Sequence, residues 1–181
     1  MQQYNKHVSA KPSHYDKEAE FYDQFNEHGS SLINRYIETT LHKHKAKTVL
    51  DFACGTGSQV FYLIKNGYHV TGLDISRKML SIAQNKAKKA HLEVPLILGD
   101  MRTKQAGTFD AVITIHSAIG HLTKNDFDKS LKNIYKNLNT KGLYIFDIFN
   151  LDYLQEGENI THLTIDGQKK NRRYYPSRNS V

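Results

Sequence analysis

The sequence predicts an α/β fold with a doubly wound parallel sheet in the strand order 3-2-1-4-5. Near-continuous apolar runs rich in strand-forming residues alternate with segments whose apolar residues recur at helical spacing. The first of these runs, at 49–52, passes through a turn with two glycines directly into a helical pattern. In sheets of this kind a ligand binds at the carboxyl ends of the strands, where the strand order reverses. The 181 residues are enough for one domain with a single substantial core.

The turn at 51–57 has the composition of a nucleotide-binding βαβ unit. Gly55 and Gly57 let the backbone turn tightly and approach a ligand, while the helix that follows points its free N–H groups toward that ligand. Asp74 ends the second strand 17 residues after Gly57. An acid at this place accepts hydrogen bonds from a ribose diol, so the pattern predicts a ligand that carries a ribose.

Two features disfavour a dinucleotide cofactor. The dinucleotide fingerprint has a third glycine where this chain has Val60. The first strand also brings Asp51 to the start of the turn, and a carboxylate there would repel a pyrophosphate but suit a ligand with an ammonium group. An NAD(P)-dependent oxidoreductase is therefore the disfavoured alternative.

Four stretches resemble, in order and at similar spacing, the motifs of class I S-adenosylmethionine-dependent methyltransferases. They are Val49–Gly57, Gly72–Ser76, Leu98–Arg102 and Phe109–Thr114. The resemblance covers roughly residues 47–150 and is specific for fold and cofactor rather than for substrate. It implies a Rossmann-like sheet, S-adenosylmethionine as the methyl donor and S-adenosylhomocysteine as the product.

The same resemblance implies roles for individual residues. Asp51 would lie close to the methionine ammonium, Asp74 would hold the ribose, and Asp100 would accept a hydrogen bond from the adenine amino group. The alternative for Asp100 is a turn residue at the end of a strand. Cys54 is expected as a small buried residue of the turn rather than as a nucleophile. The other implied cofactor-binding residues of these motifs are Ala53, Cys54, Gly55, Gly57, Ile75, Met79, Gly99 and Met101.

The segment His14–Phe25 resembles the Y-D-x-x-A-x-x-Y-D segment that many small-molecule methyltransferases fold over the cofactor as a lid. By that resemblance Tyr15 would donate to the methionine carboxylate, with Tyr22 packing nearby. The alternative is that both tyrosines only anchor a helix. A tail is expected up to about residue 13, and a second helix is expected from residue 30 or 31.

The stretch 116–122 follows the fourth strand and resembles the N-S-x-x-x-H-L-type segment of glycine/sarcosine-like N-methyltransferases, with His116 in place of Asn. By this resemblance His116, Ser117 and His121 are further cofactor-binding candidates. His116 is also the catalytic candidate, because an imidazole near the methyl group could accept a proton from an amine or hydroxyl. The alternative is that His116 offers only its carbonyl to the cofactor ammonium and that His121 packs under the loop.

We expect one methyltransferase domain over residues 1–181. Residues 1–45 would form the tail and lid helices, 46–150 the cofactor-binding core, and 151–181 a C-terminal segment that looks truncated. The family usually completes its sheet with two long antiparallel strands, for which this segment leaves no room. Either the sequence is truncated, or this part of the site is missing or comes from a second subunit. An open edge at the fifth strand, or the C-terminal segment itself, would then favour a homodimer.

The expected reaction is methyl transfer to a small-molecule acceptor, an amine in the first place, by in-line displacement. The protein mainly holds the donor methyl against the acceptor, so no dedicated nucleophile or metal is required. The alternative is a domain that binds S-adenosylmethionine or S-adenosylhomocysteine with little or no catalysis, because its substrate-binding part is missing. Base methylation is disfavoured, since neither the D/N/S-P-P-Y/F motif nor a P-C nucleophile follows the fourth strand.

Composition limits the compartment and the partners. A single cysteine excludes an internal disulfide and suits a reducing compartment, and there is neither an apolar run of membrane-spanning length nor a signal-peptide pattern. We therefore expect a cytoplasmic protein without a membrane partner. The net charge of +7 comes from lysines scattered over predicted helix faces, which favours a solvated surface over a nucleic-acid footprint.

Overall fold

The computed structural model of the chain describes residues 8–148, 160–165 and 168–173, with the backbone alone for 18, 21, 24–29 and the two C-terminal stretches. Its helices are α1 (Pro12–Glu18), α2 (Tyr22–Lys43), α3 (Ser58–Lys65), α4 (Arg77–Lys89) and α5 (Lys124–Lys136), with 3₁₀ turns at Ala19–Phe21 and Ala118–His121. Its strands are β1 (Thr48–Phe52), β2 (His69–Asp74), β3 (Leu96–Leu98), β4 (Phe109–Thr114), β5 (Leu138–Phe146), β6 (Ile160–Ile165) and β7 (Gln168–Arg173). None of the helices in these stretches is long and apolar enough to cross a membrane.

Strands β1 to β5 form one parallel sheet in the order β3-β2-β1-β4-β5, which confirms the predicted order. β1 lies at the centre, where Asp51 is in register with Gly72 of β2 on one side and with Ile113 of β4 on the other. Because the chain leaves β3 at one edge and continues on the far side of β1, the strand order reverses between β1 and β4. A crevice forms at the carboxyl ends of these two strands.

The two faces of the sheet are covered by two clusters of buried side chains. Leu41 of α2 and Leu63 of α3 belong to the cluster on one face, and Ile134 of α5 belongs to the cluster on the other. β1 contributes Val49 to the first cluster and Leu50 to the second, since successive side chains of a strand point to opposite faces. Burial on both faces explains why the strands read as nearly continuous apolar runs.

The N-terminal helices begin earlier than the sequence predicted. α1 begins at Pro12, within the expected tail, because proline at the first helical position already has the φ that a helix needs. α2 begins at Tyr22 rather than at residue 30 or 31. Serine favours helix starts, but Ser30 lies inside α2 on a buried face that continues to Ile37 and Leu41. Packing on the sheet therefore decided where this helix runs.

The C-terminal stretches form a hairpin. β6 and β7 pair antiparallel in a sheet of their own. In the part of the chain that the structure describes, β5 pairs only with β4, and its other edge has no neighbouring strand. The rings of Tyr144 and Phe146 on β5 stack with centroids 5.0 Å apart. The expectations of a truncated-looking C-terminal segment and of a homodimer stay predictions.

Candidate active site

A cavity of about 290 Å³ lies at the carboxyl edge of the sheet. The chain just beyond each strand of the five-stranded sheet contributes to its wall: Ala53 and Gly55 after β1, Ile75 after β2, Gly99 to Arg102 after β3, His116 and Ala118 after β4, and Asp147 after β5. Residues of the N-terminal segment and its helices close another side: Ala10, Tyr15, Tyr22 and Ile33. The cavity therefore occupies the switch-point position that the strand order predicts.

Most of the residues predicted for the site line this cavity. They are Tyr15, Tyr22, Ala53, Gly55, Asp74, Ile75, Met79, Gly99, Asp100, Met101, His116 and His121. Four predicted residues do not line it: Asp51, Cys54, Gly57 and Ser117. Sequence reasoning missed several residues of the wall, namely Ala10, Ile33, Leu73, Arg102, Ala118, Leu122 and Asp147. Asp147 could have been predicted, because it is an acid that follows the fifth strand, just as Asp74 is an acid at the end of the second strand.

The turn after β1 is held by hydrogen bonds to the end of β2. The N–H groups of Ala53 and Cys54 both donate to the carbonyl of Leu73, at 2.7 and 3.0 Å. Gly55 and Gly57 have φ values of 54° and 92°, which side chains rarely allow. A Cβ on Gly55 would lie 3.4 Å from the ring of Tyr22, so the lid helix packs directly on this turn.

Asp74 joins the turn after β1 to the start of α4. One carboxylate oxygen accepts from the N–H of Gly55 at 2.8 Å, and the other accepts from the N–H of Ser76 at 2.7 Å. Ser76 in turn caps α4 by accepting from the N–H of Met79. Burial raises the pKa of Asp74 more than these hydrogen bonds lower it. An ionised carboxylate has room for about four hydrogen bonds, so Asp74 can still accept from a ribose.

Asp51 is a buried acid with an unsatisfied oxygen. It is 1% exposed, and its Oδ2 atom has no hydrogen-bond partner among the described residues. Burial, together with the negative charge of Asp74, raises the pKa of Asp51 to about 8. A buried acceptor without a donor is costly, and native proteins keep such atoms mostly where a ligand or function uses them. A cationic donor bound beside the turn would satisfy Asp51.

Asp100 is already engaged by a neighbour in sequence. Its carboxylate accepts from the backbone N–H of Arg102 at 2.8 Å and from the guanidinium, with Nε 2.9 Å from Oδ1. Burial raises the pKa of Asp100, but the hydrogen bonds and charge of Arg102 outweigh it and hold that pKa below its usual value. Arg102 also pairs with Asp126 at 2.6 Å, and Ser9 donates to the same carboxylate at 2.7 Å. An adenine amino group would have to share Asp100 with Arg102, and that contact stays a prediction.

His116 lies between the cavity wall and the helices. Its Nε2 atom is 3.2 Å from the amide nitrogen of Gln59 and 3.4 Å from the hydroxyl of Ser30. Burial lowers the pKa of His116, against the opposing effect of Asp147. The adjacent Ser117 donates its N–H to Asp147 at 3.0 Å. The ring is thus neutral at pH 7 and is held on the side that faces α2 and α3.

Polar contacts seat the N-terminal helices on the rest of the site. Asp16 of α1 accepts from the hydroxyl of Ser76, and Asp23 of α2 accepts from the hydroxyl of Thr56 and pairs with Lys86. The ring of Tyr15 meets His121 edge-on, with centroids 6.3 Å apart. These helices therefore lie closed over the cavity, where both tyrosines contribute to the wall.

Comparisons with known proteins identify the family of the chain. A family model for a methyltransferase domain matches residues 49–142, which is more than half of the chain. A Bacillus subtilis (strain 168) protein provisionally named methyltransferase YqeM is 35% identical over 138 residues, which are 74% of this chain and 55% of that protein. Glycine N-methyltransferase of Oryctolagus cuniculus is 32% identical over 142 residues, which are 69% of this chain and 48% of that enzyme.

The fold of this chain is similar to that of a solved structure over most of the chain. The S-adenosylmethionine-dependent methyltransferase from Clostridium acetobutylicum ATCC 824 superposes with a TM-score of 0.72 at 25% identity, over 84% of this chain and 65% of that one. The chain spans about half the length of the curated relatives it matches. The strand order and the position of the cavity are those expected from the matching family model. The chain therefore belongs to the methyltransferase domain family, within the class I S-adenosylmethionine-dependent methyltransferases.

Proposed function

We propose that this domain binds S-adenosylmethionine in the cavity at the carboxyl edge of the sheet and transfers its methyl group to a small amine. The observation that carries the proposal is the unsatisfied carboxylate oxygen of Asp51, buried beside the glycine turn. A pyrophosphate would meet repulsion here, whereas an α-ammonium group would supply the missing donor and an opposite charge.

The remaining wall fits the rest of such a cofactor. Asp74 would hold the ribose, while Ile75 and Met101 offer apolar surface to the adenine beside Asp100. Tyr22 packs on Gly55 and would cover the methionine portion, and Tyr15 is placed to reach its carboxylate. When bound, the cofactor supplies an electrophilic methyl group on a sulfonium, and the chain's own residues bind, orient and exclude water.

The charges of the cavity favour a cationic or basic acceptor. Asp74, Asp100 and Asp147 line it together with the cationic side chain of Arg102. Arg102 is engaged by Asp100 and Asp126, so its charge is compensated locally. An amine that enters therefore meets a negative field, which supports an amine over an anionic acceptor. Glycine N-methyltransferases among the relatives support the same class of acceptor, although the proposal does not extend to glycine itself.

Calorimetry with the whole chain tests the cofactor. S-adenosylmethionine and S-adenosylhomocysteine should bind, whereas NAD(P) should not. Binding of NAD(P) alone would refute the assignment. An acceptor screen with isotope-labelled methyl donor then tests the reaction on amines, hydroxyl compounds and thiols. Label should appear on amines. Cofactor binding without transfer to any acceptor would replace the proposal with that of a binding domain.

A further inference from the structure

Two buried polar side chains from different helices contact one nitrogen of His116. Gln59, in the first turn of α3, places its amide nitrogen 3.2 Å from Nε2, and Ser30 of α2 places its hydroxyl 3.4 Å from the same atom. Gln59 and Ser30 are each 4% exposed, so water does not compete for these contacts. An amide nitrogen only donates hydrogen bonds. With the amide of Gln59 in this orientation Nε2 accepts, which places the proton of the neutral ring on Nδ1.

The geometry points to Gln59 as a positioning residue that fixes His116 in the Nδ1–H tautomer and prevents it from acting as a general base. This inference rests on the proposed methyl transfer, because a base matters only to that reaction. A neutral imidazole has a single basic lone pair, which here is on Nε2 and is occupied by the N–H of Gln59. An acceptor amine cannot give its proton to this ring without breaking that contact.

The amine therefore has to attack in its neutral form. Its nitrogen forms the new N–C bond while the C–S bond breaks, and the electron pair of the broken bond stays on sulfur. The methylated product is an ammonium ion, which loses its extra proton to water after release. No protein group has to accept a proton in this sequence, and the transfer needs only position and orientation.

The backbone around His116 holds the same arrangement from the other side. His116 and Ser117 have φ values of 60° and 55°, a left-handed conformation that is uncommon for residues other than glycine. Such a conformation persists only where its surroundings determine it. Here the N–H of Ser117 donates to Asp147 at 3.0 Å. The backbone from which the ring of His116 projects is therefore held in place beside Gln59.

The charges near the ring agree with a neutral histidine. Burial lowers the pKa of His116, and the carboxylate of Asp147 opposes this only in part. Protonation of His116 would also place a proton on Nε2, and that N–H would then face the N–H of Gln59. Among the residues whose side chains the structure describes, Tyr22, Asp23 and Cys54 are titratable and line a small cavity that His116 and Gln59 share.

Nitrogen NMR of the imidazole rings tests the tautomer without any methyl transfer. The signal of His116 is identified as the one missing from a His116→Asn sample of the cofactor-free protein. We expect Nδ1 protonated, Nε2 unprotonated, and a titration midpoint below the ordinary value of a histidine. Gln59→Glu replaces a donor with an acceptor, so the ring proton should move to Nε2 and the pKa of His116 should rise. Gln84→Glu, an exposed glutamine on α4, is the matched control and should leave the signal unchanged.

A second variant covers the case in which Gln59→Glu fails to fold. Gln59→Met removes the donor at similar volume, and the preference for Nδ1–H should be lost. Wild-type protein with its proton on Nε2 would overturn the inference, and so would a tautomer that neither substitution changes.

Kinetics with two amines of different pKa give an independent readout. In the wild type, kcat/KM should rise with pH as each amine loses its proton, so that the midpoint of the rise follows the pKa of the amine. The pH profile of kcat should show no ionisation near neutrality. If the rise of kcat/KM has the same midpoint for both amines, and this midpoint is that of His116, the inference is overturned. If no acceptor is methylated, the proposed function fails, while the tautomer measured by NMR still decides the role of Gln59.

Discussion

Replacing Asp51 with asparagine should stabilise the protein at alkaline pH. Asp51 is fully buried, and burial, together with the charge of Asp74, raises its pKa from 3.8 to about 8. Between these two values the native state binds more protons than the unfolded state does. The stability of the wild type therefore falls as the pH rises from about 4 to about 8, and this contribution is constant above that range.

The size of this effect follows from the pKa difference. One pKa unit corresponds to about 1.4 kcal/mol, so a rise over about four units sets a ceiling of about 6 kcal/mol. The Asp51→Asn variant has no proton to lose and does not show this fall. Its amide N–H groups have to be satisfied in a buried site, which subtracts about 1–3 kcal/mol from the gain. We expect the variant to be about 3 kcal/mol more stable than the wild type at pH 8, with no gain at pH 4.

Urea unfolding at several pH values measures this difference directly. The wild type and Asp51→Asn are compared between pH 4 and pH 8, with Asp128→Asn, an exposed aspartate on α5, as the control. The control should follow the wild type at every pH. If Asp51→Asn is less stable than the wild type at pH 8, or if the two lose stability in parallel, the carboxylate is not an unsatisfied buried charge.

Asp51→Asn should weaken binding of the cofactor, although it stabilises the protein. Loss of a charge-assisted contact to the ammonium group should weaken S-adenosylmethionine binding about ten- to a hundredfold. In the wild type, the cation should favour the ionised form of Asp51, so that binding at pH 7 releases a proton. Calorimetry in two buffers with different ionisation enthalpies detects that proton. Unchanged affinity, with no proton released, would remove Asp51 from the site.

Three further predictions follow from single contacts. Asp74→Ala should weaken S-adenosylmethionine binding by about ten- to a hundredfold and also loosen the turn at Gly55, since its carboxylate serves both; unchanged affinity in a folded variant would refute the assignment. Gly57→Ala should destabilise more than Gly67→Ala in urea unfolding: both glycines have positive φ, but only at Gly57 would a Cβ meet a ring, at 2.6 Å from Phe61. Equal losses would show that the ring moves aside. Glu20→Gln should leave the unfolding midpoint unchanged, because its ion pair with α4 is exposed.

The fold and the position of the cavity were predictable because they depend on patterns along the chain. Apolar runs alternating with helical periodicity determine a parallel sheet, and the glycine turn marks where the order reverses. Asp74 and Gly55 could be placed near each other on that basis alone. The start of α5 is also a local pattern, since a threonine three residues before an aspartate is typical of a helix start, and Thr123 accepts from the N–H of Asp126.

The contacts within the site could not be predicted, because they depend on which side chains meet and form hydrogen bonds in the folded protein. Asp100 and Arg102 are two residues apart, and nothing in their spacing says that the guanidinium engages both carboxylate oxygens. Similarly, the contact between Gln59 and His116 joins residues 57 positions apart on different elements. The start of α2 was missed because serine favours caps locally, while burial of one long helical face outweighed that preference. Predictions of helix starts and of donor–acceptor pairs fail for the same reason, since both are decided by tertiary packing.

The basic net charge of the chain does not argue for an anionic substrate, and the topology explains why. In a parallel α/β sheet each helix runs opposite to the strands, so helix C-termini lie at the edge away from the carboxyl ends of the strands. Basic side chains occupy the last turns of α2, α4 and α5, where they complement the helix dipoles. Part of the positive surplus therefore lies at the far edge, while Asp74 and Asp147 line the cavity and Asp51 is buried beside it. Among the described residues, three aspartates and one arginine line the cavity, so the formal charge of these side chains is opposite in sign to the net charge of +7. It is this local charge, and not the composition, that suits a sulfonium cofactor.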